Sequence, residues 1–202
     1  MAEDESRRIP VPLDELPLTA FHRYIALASI GGVFSDGFGL GVIGLVSGLV
    51  SRELMLTPVS LGLLGAGSLA GLFVGSLLTG PLIDRRGRRP VYASNMFVLA
   101  LLSALQYPAG GFAALFALRI GIGVLLGSDY VVSKAMLTEF TPRAVRGRVM
   151  SLLSIAWAGG YSCAYFAGLL VPHAAPGAWR AMLLLAAIPS LAAGLLRLPV
   201  PE

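Results

Sequence analysis

Six long apolar stretches, parted by short polar or proline-bearing breaks, constrain this chain more than any other feature. A bilayer hydrocarbon core about 30 Å thick needs about 20 apolar residues in helix. Stretches of that size run over residues 24–50, 57–80, 90–107, 112–137, 149–171 and 180–198. The breaks carry Arg52, Glu53 and Pro58, then Asp84 to Pro90, Pro108 to Gly111, Thr141 to Arg143, and Pro172 to Trp179. Composition agrees, because 56% hydrophobic and only 13% charged residues leave too little polar surface for an ordinary soluble domain. The expected fold is an all-α membrane bundle. Residues 1–23 form a polar leader without the apolar core of a secretory signal, 24–198 the six spans, and 199–202 a short tail.

Charge sets the orientation. Arg7, Arg8 and Arg23, Arg85, Arg86, Arg88 and Arg89, Arg143, Arg146 and Arg148, and Arg197 all fall on one side of the six spans. Only Arg52 and Arg180 fall on the other, so the positive-inside rule places both termini in the cytoplasm, as an even number of spans requires. The net charge of +4 suits anionic headgroups better than nucleic acid, since the basic clusters lie between apolar stretches and no aromatic residues interleave with them. Cys163 is the single cysteine, which excludes an intrachain disulfide and a thiol cluster. His22 at a span entrance and His173 in an outer loop offer no metal-ligand spacing, and no serine in the spans has an evident base beside it. An enzyme is not expected, nor a metal or other cofactor.

Small residues recur at every fourth position as Gly67, Gly71 and Gly75, and as the pairs Gly37/Gly41, Gly44/Gly48 and Gly123/Gly127. Such faces let helix backbones approach closely in lipid. Ionisable groups at mid-membrane depth cost about 2.5–3.5 kcal/mol each even on insertion scales, so each needs a reason. Asp36 lies near the centre of span one, and span four holds Arg119, Asp129 and Lys134. Arg119 and Asp129 are ten residues apart, about 15 Å along the helix and about 80° around it, and so border one cavity at different depths. Asp36 reads either as a carboxylate satisfied by a neighbouring helix or paired permanently with Arg119, or as a protonation switch. In the second case burial favours the neutral acid, and an approaching guanidinium favours its ionised form. Lys134 is placed to snorkel to the headgroups. Tyr130 and Trp157 stand equally as packing residues and as substrate contacts.

The second loop, Gly80-Pro-Leu-Ile-Asp84-Arg85-Arg86-Gly87-Arg88-Arg89-Pro90, resembles the loop signature Gly-x-x-x-Asp-Arg/Lys-x-Gly-Arg-Arg/Lys of the major facilitator superfamily at every constrained position. Glu139 with Arg146 and Gly147 is similar to the Glu-x6-Arg-Gly pattern of sugar porters and related metabolite:proton symporters, and Arg119 through Asp129-Tyr130 to a span-four segment of phosphate and organic-acid symporters. Trp179-Arg180 and Ile188-Pro189 extend the likeness, and Pro201-Glu202 fits the start of the Pro-Glu-Ser-Pro-Arg-type motif that follows span six in these relatives. Two positions depart: Gly39 stands where many relatives carry a second acid, and Val131 where a proline is common.

The resemblance implies two three-helix inverted repeats forming the amino-terminal half of a major facilitator fold in the inner membrane. It implies proton-coupled transport of a small metabolite (organic acid, sugar or phosphate), with Asp36, Arg119 and Asp129 along the proton or substrate path. Gly80, Asp84, Arg85, Gly87, Arg88, Arg89, Glu139 and Arg146 would form a cytoplasmic gate. Its partners would be the bilayer, protons, the substrate, and a missing carboxy-terminal half or a second copy. The alternative is a non-transporting six-span module or regulatory partner of a full-length carrier. The orientation has a direct check: in a Cys163→Ala background, an impermeant thiol reagent applied outside intact cells should label Gly110→Cys, and should reach Arg86→Cys only after permeabilisation.

Overall fold

The computed structural model describes residues 19–171 and 177–200 of the chain; residues 1–18 of the expected leader, His173, and Pro201-Glu202 lie outside them. Seven helices follow in order: α1 Ala20–Glu53, α2 Pro58–Arg86, α3 Arg88–Leu105, α4 Phe112–Phe140, α5 Arg143–Leu169, α6 Ala178–Leu185 and α7 Ala187–Arg197. Five stretches among the described residues are long and apolar enough to cross a membrane, with α6 and α7 together making one of them, Ala178–Arg197. The helix α3 completes six, although it begins on two arginines and carries Asn95, which lower its hydropathy. Span six is interrupted at Ala186 because Pro189 has no N–H to donate to the Leu185 carbonyl one turn earlier.

The corners differ from the sequence expectation in one respect. Asp84 to Pro90 reads as a break, yet α2 continues to Arg86 and α3 starts at Arg88, leaving Gly87 alone between them. Gly87 takes φ +82°, a conformation open to glycine and strained for residues with a Cβ, and that single residue turns the chain. Arg85 and Arg86 close α2 where cations complement the helix dipole, and Pro90 lies in the first turn of α3, where a missing N–H costs nothing. At the other end of the chain, α1 starts at Ala20, so residues 20–23 of the expected leader form its first turn.

Packing is dominated by two crossings, α2 on α4 and α1 on α5, with α3 and α7 behind them. Exchanging span one with four and span two with five converts one crossing into the other, the pattern that two three-span repeats produce. Both crossings are made at glycines. A Cβ on Gly71, Gly75, Gly123 or Gly127 would overlap a backbone carbonyl of the facing helix, and so would one on Gly37 or Gly160. Gly41 is nearly as tight, with the Tyr161 carbonyl 2.8 Å from an added Cβ, whereas Gly48 faces open space.

The interior is stacked in three apolar layers. Val42, Val46, Leu64 and Trp179 fill one end, Met96, Leu99, Ile122 and Leu126 the middle, and Ile25, Tyr92, Met136 and Leu137 the end carrying the basic corners. Outside, Phe73, Leu77 and Leu78 on α2 and Phe166 and Leu169 on α5 are exposed, as lipid-facing side chains would be. The far end is tied by Arg180, which donates to Glu53 at 2.6 Å and to the Ala109 carbonyl at 3.3 Å. One of the two arginines on that side is therefore neutralised within the fold.

Overpacking a backbone crossing costs about 1–3 kcal/mol. Gly75→Leu should accordingly lower the thermal unfolding midpoint of the detergent-solubilised chain by several degrees, while Gly48→Ala leaves it within error.

Candidate substrate and proton path

Two carboxylates and two guanidiniums are buried in the middle of the bundle: Asp36 on α1, Arg119 and Asp129 on α4, and Arg197 on the last turn of α7. The sequence counts Arg197 among the basic residues of the cytoplasmic face. The structure corrects this, because the side chain turns inward and is fully buried. Its guanidinium grips Asp129 with both terminal nitrogens, one to Oδ1 and the other to Oδ2 at 3.0 Å. It also donates to Ser133 Oγ at 3.1 Å and to the Tyr92 carbonyl at 3.2 Å, and it lies over the Tyr92 ring 4.0 Å from the centroid. Ser133 completes the set by donating to Asp129 Oδ2 at 3.0 Å, and Ser29 bonds the Tyr92 hydroxyl at 2.8 Å.

Local sequence explains how so large a cation fits. Gly32 on α1 lies against the Arg197 guanidinium, and a Cβ there would overlap it. Asp129 and Ser133 are one turn apart on α4 and present their oxygens together. Of this group only Asp129 is legible as a site residue from sequence. Arg197, Ser133, Tyr92 and Ser29 are missed, and the available signal is that a mid-span Asp129 demands a cation which Arg119, ten residues along the same helix, is poorly placed to supply.

Asp36 is fully buried, and no donor among the described residues reaches either carboxylate oxygen, although the Asp129 carboxyl lies beside it. Its charged neighbours are Asp129 and Arg197, not Arg119. Arg119 donates to the Gly39 carbonyl at 3.3 Å, while its Nε is unpartnered among the described residues. It therefore reaches the position at which many relatives carry their second acid and finds a backbone oxygen there. Asp36, Asp129 and Arg197 are brought together, and Arg119 stands apart from them, higher on α4.

Beside this cluster a cavity of about 330 Å³ opens between α1, α4 and α5, lined by Val33, Tyr130, Lys134, Leu153, Ser154 and Trp157. Tyr130, which lines the cavity, is next in sequence to Asp129 and lies within electrostatic reach of Asp36. Trp157, Tyr161 and Tyr165 follow at four-residue spacing on α5 with ring centroids 5.5 Å apart, forming an aromatic face. Lys134 is exposed, with Nζ 6.0 Å from the Tyr130 ring centroid.

The loop residues gather at the basic end. Arg88 pairs with Glu139 at 2.5 Å across α3 and α4, Arg89 Nε donates to the Val200 carbonyl at 2.8 Å, and Arg146 holds the Thr141 carbonyl at 3.1 and 3.3 Å. Asp84 and Arg85 are exposed, and Gly80 has open space where a Cβ would point.

Residues 30–202 match the family model described as Major Facilitator Superfamily. The chain belongs to that superfamily. It is 40% identical over 193 residues to the inner membrane metabolite transport protein YgcS of Escherichia coli, an alignment covering 96% of this chain and 43% of YgcS. It is 28% identical over 192 residues to the niacin transporter NiaP of Acinetobacter baylyi, covering 94% and 43%. Among solved structures, the partially occluded inward-open xylose transporter XylE of E. coli superposes with a TM-score of 0.81 at 21% identity, over 91% of this chain and 49% of XylE. The chain thus spans under half the length of the curated relatives it matches, and six spans of the superfamily fold.

Removing one member of a buried ion pair costs about 3–5 kcal/mol, because the other charge stays buried without a partner. Arg197→Met and Asp129→Leu should each strongly lower the unfolding temperature of the solubilised chain. The double variant should lose much less than the sum, and strict additivity would mean that the pair is not formed in the membrane.

Proposed function

We propose that this chain forms one wall of a proton-coupled carrier for a small organic acid and works with a second six-span unit, either a carboxy-terminal half or a second copy of itself. The observation that carries the reading is Asp36, a fully buried carboxyl whose oxygens are reached by no donor among the described residues, beside a cation already held by Asp129. Ionisable groups inside membrane spans mark proton and substrate paths. A proton carried by such an acid is released when a guanidinium is freed to face it or water reaches it. Arg197, shared between Asp129 and the field of Asp36, and Arg119, held by one backbone carbonyl, are the two cations that a rocking motion would redistribute.

The substrate class follows from the cavity. Tyr130 and Trp157 offer flat apolar surface, and Lys134 a cation at its rim. A small planar carboxylate satisfies both features. Relatives named as niacin, cis,cis-muconate and 4-hydroxybenzoate transporters act on such acids. Proton coupling is supported by the likeness in fold to a proton:xylose symporter. The Arg88–Glu139 pair, with Asp84, Arg85, Gly87, Arg89 and Arg146 around it, is read as the gate at the cytoplasmic end, and Gly80 as the contact surface for a facing helix.

The test is uptake of radiolabelled small carboxylates into membrane vesicles containing the chain, under an imposed inward proton gradient. Asp36→Asn should cut gradient-driven uptake by about tenfold or more while leaving substrate exchange at equal pH, the split expected when a proton relay alone is lost. Arg119→Ala should remove both. Uptake indifferent to the gradient and to Asp36→Asn would sink the proposal.

A further inference from the structure

Two concavities at the basic end adjoin each other. One, about 270 Å³, is lined by Arg86 to Pro90 with Met136 and Phe140. The other, about 340 Å³, is a cleft between α2 and α3 floored by α4. Arg86 and Pro90 line both, so the two form one continuous groove that runs from the basic corner into the hydrocarbon zone. From Pro90 to Val98 it follows α3 for about 12 Å, close to the depth of one leaflet of hydrocarbon.

The chemistry changes along the groove. Leu78, Leu82, Val91, Val98, Val124 and Leu125 make its inner length apolar. Of the polar groups that border it, Ser94 donates to the Pro90 carbonyl at 2.7 Å, Asn95 to the Leu125 carbonyl at 3.0 Å and Thr79 to the Gly75 carbonyl at 2.7 Å. At the mouth, Arg88 is neutralised by Glu139, but Arg86 has neither an ion pair nor a hydrogen bond among the described residues. Arg86 also occupies the one unconstrained position between the acid and the glycine of the loop signature, so its charge is additional to that motif. A free cation above a leaflet-deep apolar cleft is complementary to a phosphate esterified to long hydrocarbon chains. Basic pockets between spans on the cytoplasmic side bind anionic headgroups in this way.

We propose that the groove between α2 and α3 is a binding site for an anionic diacyl phospholipid, with the headgroup phosphate on Arg86 and one acyl chain along the cleft between Leu78 and Val98. The site shares no lining residue with the cavity bordered by Tyr130 and Trp157. The inference does not depend on the transport reading.

The full chain, solubilised in a neutral detergent, can be irradiated with phosphatidylglycerol or phosphatidylcholine carrying a diazirine in one acyl chain, and the labelled peptides identified by mass spectrometry. Phosphatidylglycerol should label residues 75–98 about tenfold more than phosphatidylcholine, in line with an added headgroup-to-arginine interaction. Arg86→Gln should reduce its labelling to the phosphatidylcholine level, and Leu78→Trp, which fills the cleft, should suppress both. Arg143→Gln, on another basic corner, should change neither. Both test positions are exposed, and unchanged helical circular dichroism will show that the variants fold. Equal labelling by the two lipids, full labelling in Arg86→Gln, or competition by glycerol phosphate as strong as by the lipid would overturn the proposal. So would disulfide capture, through Leu78→Cys, of a second copy of the chain seated in the cleft.

Discussion

The buried pairing of Arg197 with Asp129 is the interaction on which the centre of this bundle depends. An ion pair without water survives only when nearly every lone pair and proton is met. Here Ser133 and the Tyr92 carbonyl take the remaining protons of the two terminal nitrogens and the Tyr92 ring covers the guanidinium, while Nε has no partner among the described residues. Those contacts join the end of span six to α3 and α4, and Gly32 lets α1 close over them. Four of the six spans thus meet at one guanidinium. The pairing also determines what Asp36 experiences: the nearest cation is already committed, so the acid on α1 is left as the uncommitted member of the group.

Around that centre the helices are held by close approach, not by expulsion of apolar surface from water. In lipid, one leucine exterior is as good as another, and association rests on packing and polar contacts. The backbone carbonyls that would meet a Cβ on Gly71, Gly75, Gly123 and Gly127 show α2 and α4 in direct contact along two turns, and Gly37, Gly41 and Gly160 do the same for α1 and α5. The two crossings are counterparts under exchange of the repeats, which is why a chain with no evident sequence repeat still builds a symmetric core. Between α2 and α3, joined at the one-residue corner of Gly87, no such glycine seam exists, and the groove that starts at Arg86 lies there.

Much of this is legible in the residues. Hydropathy marks five spans clearly and α3 more weakly, small residues at four-residue spacing mark the two seams, and the rarity of mid-span charge singles out Asp36, Arg119 and Asp129, all of which are buried. What escapes is partner identity. Charge counting assigns Arg197 to a headgroup region because it ends a span, and nothing local distinguishes an arginine that points outward from one that folds back under its own helix. The expectation that Asp36 and Arg119 meet fails to foresee this competitor. With Arg197 on Asp129, the neighbourhood of Asp36 is set by span six, and Arg119 settles on the carbonyl of Gly39. The interruption at Ala186 and the one-residue corner at Gly87 are likewise consequences of backbone chemistry at Pro189 and Gly87 that span-level hydropathy averages away.

One helix carries nearly all the chemistry. The 29 residues of α4, about 43 Å of rigid rod, hold Arg119, Asp129, Ser133, Lys134 and Glu139 in order from one end to the other. Glu139 engages Arg88 at the basic corner, Asp129 engages Arg197 at mid-depth, and Arg119 engages α1 further up. Both pairs are anchored on the same helix. The corner pair is half exposed and contributes little by itself, whereas the central pair is fully buried and costly to break. The two pairs are therefore unequal anchors of α4: the central one dominates how the helix is held, and the corner one adds little.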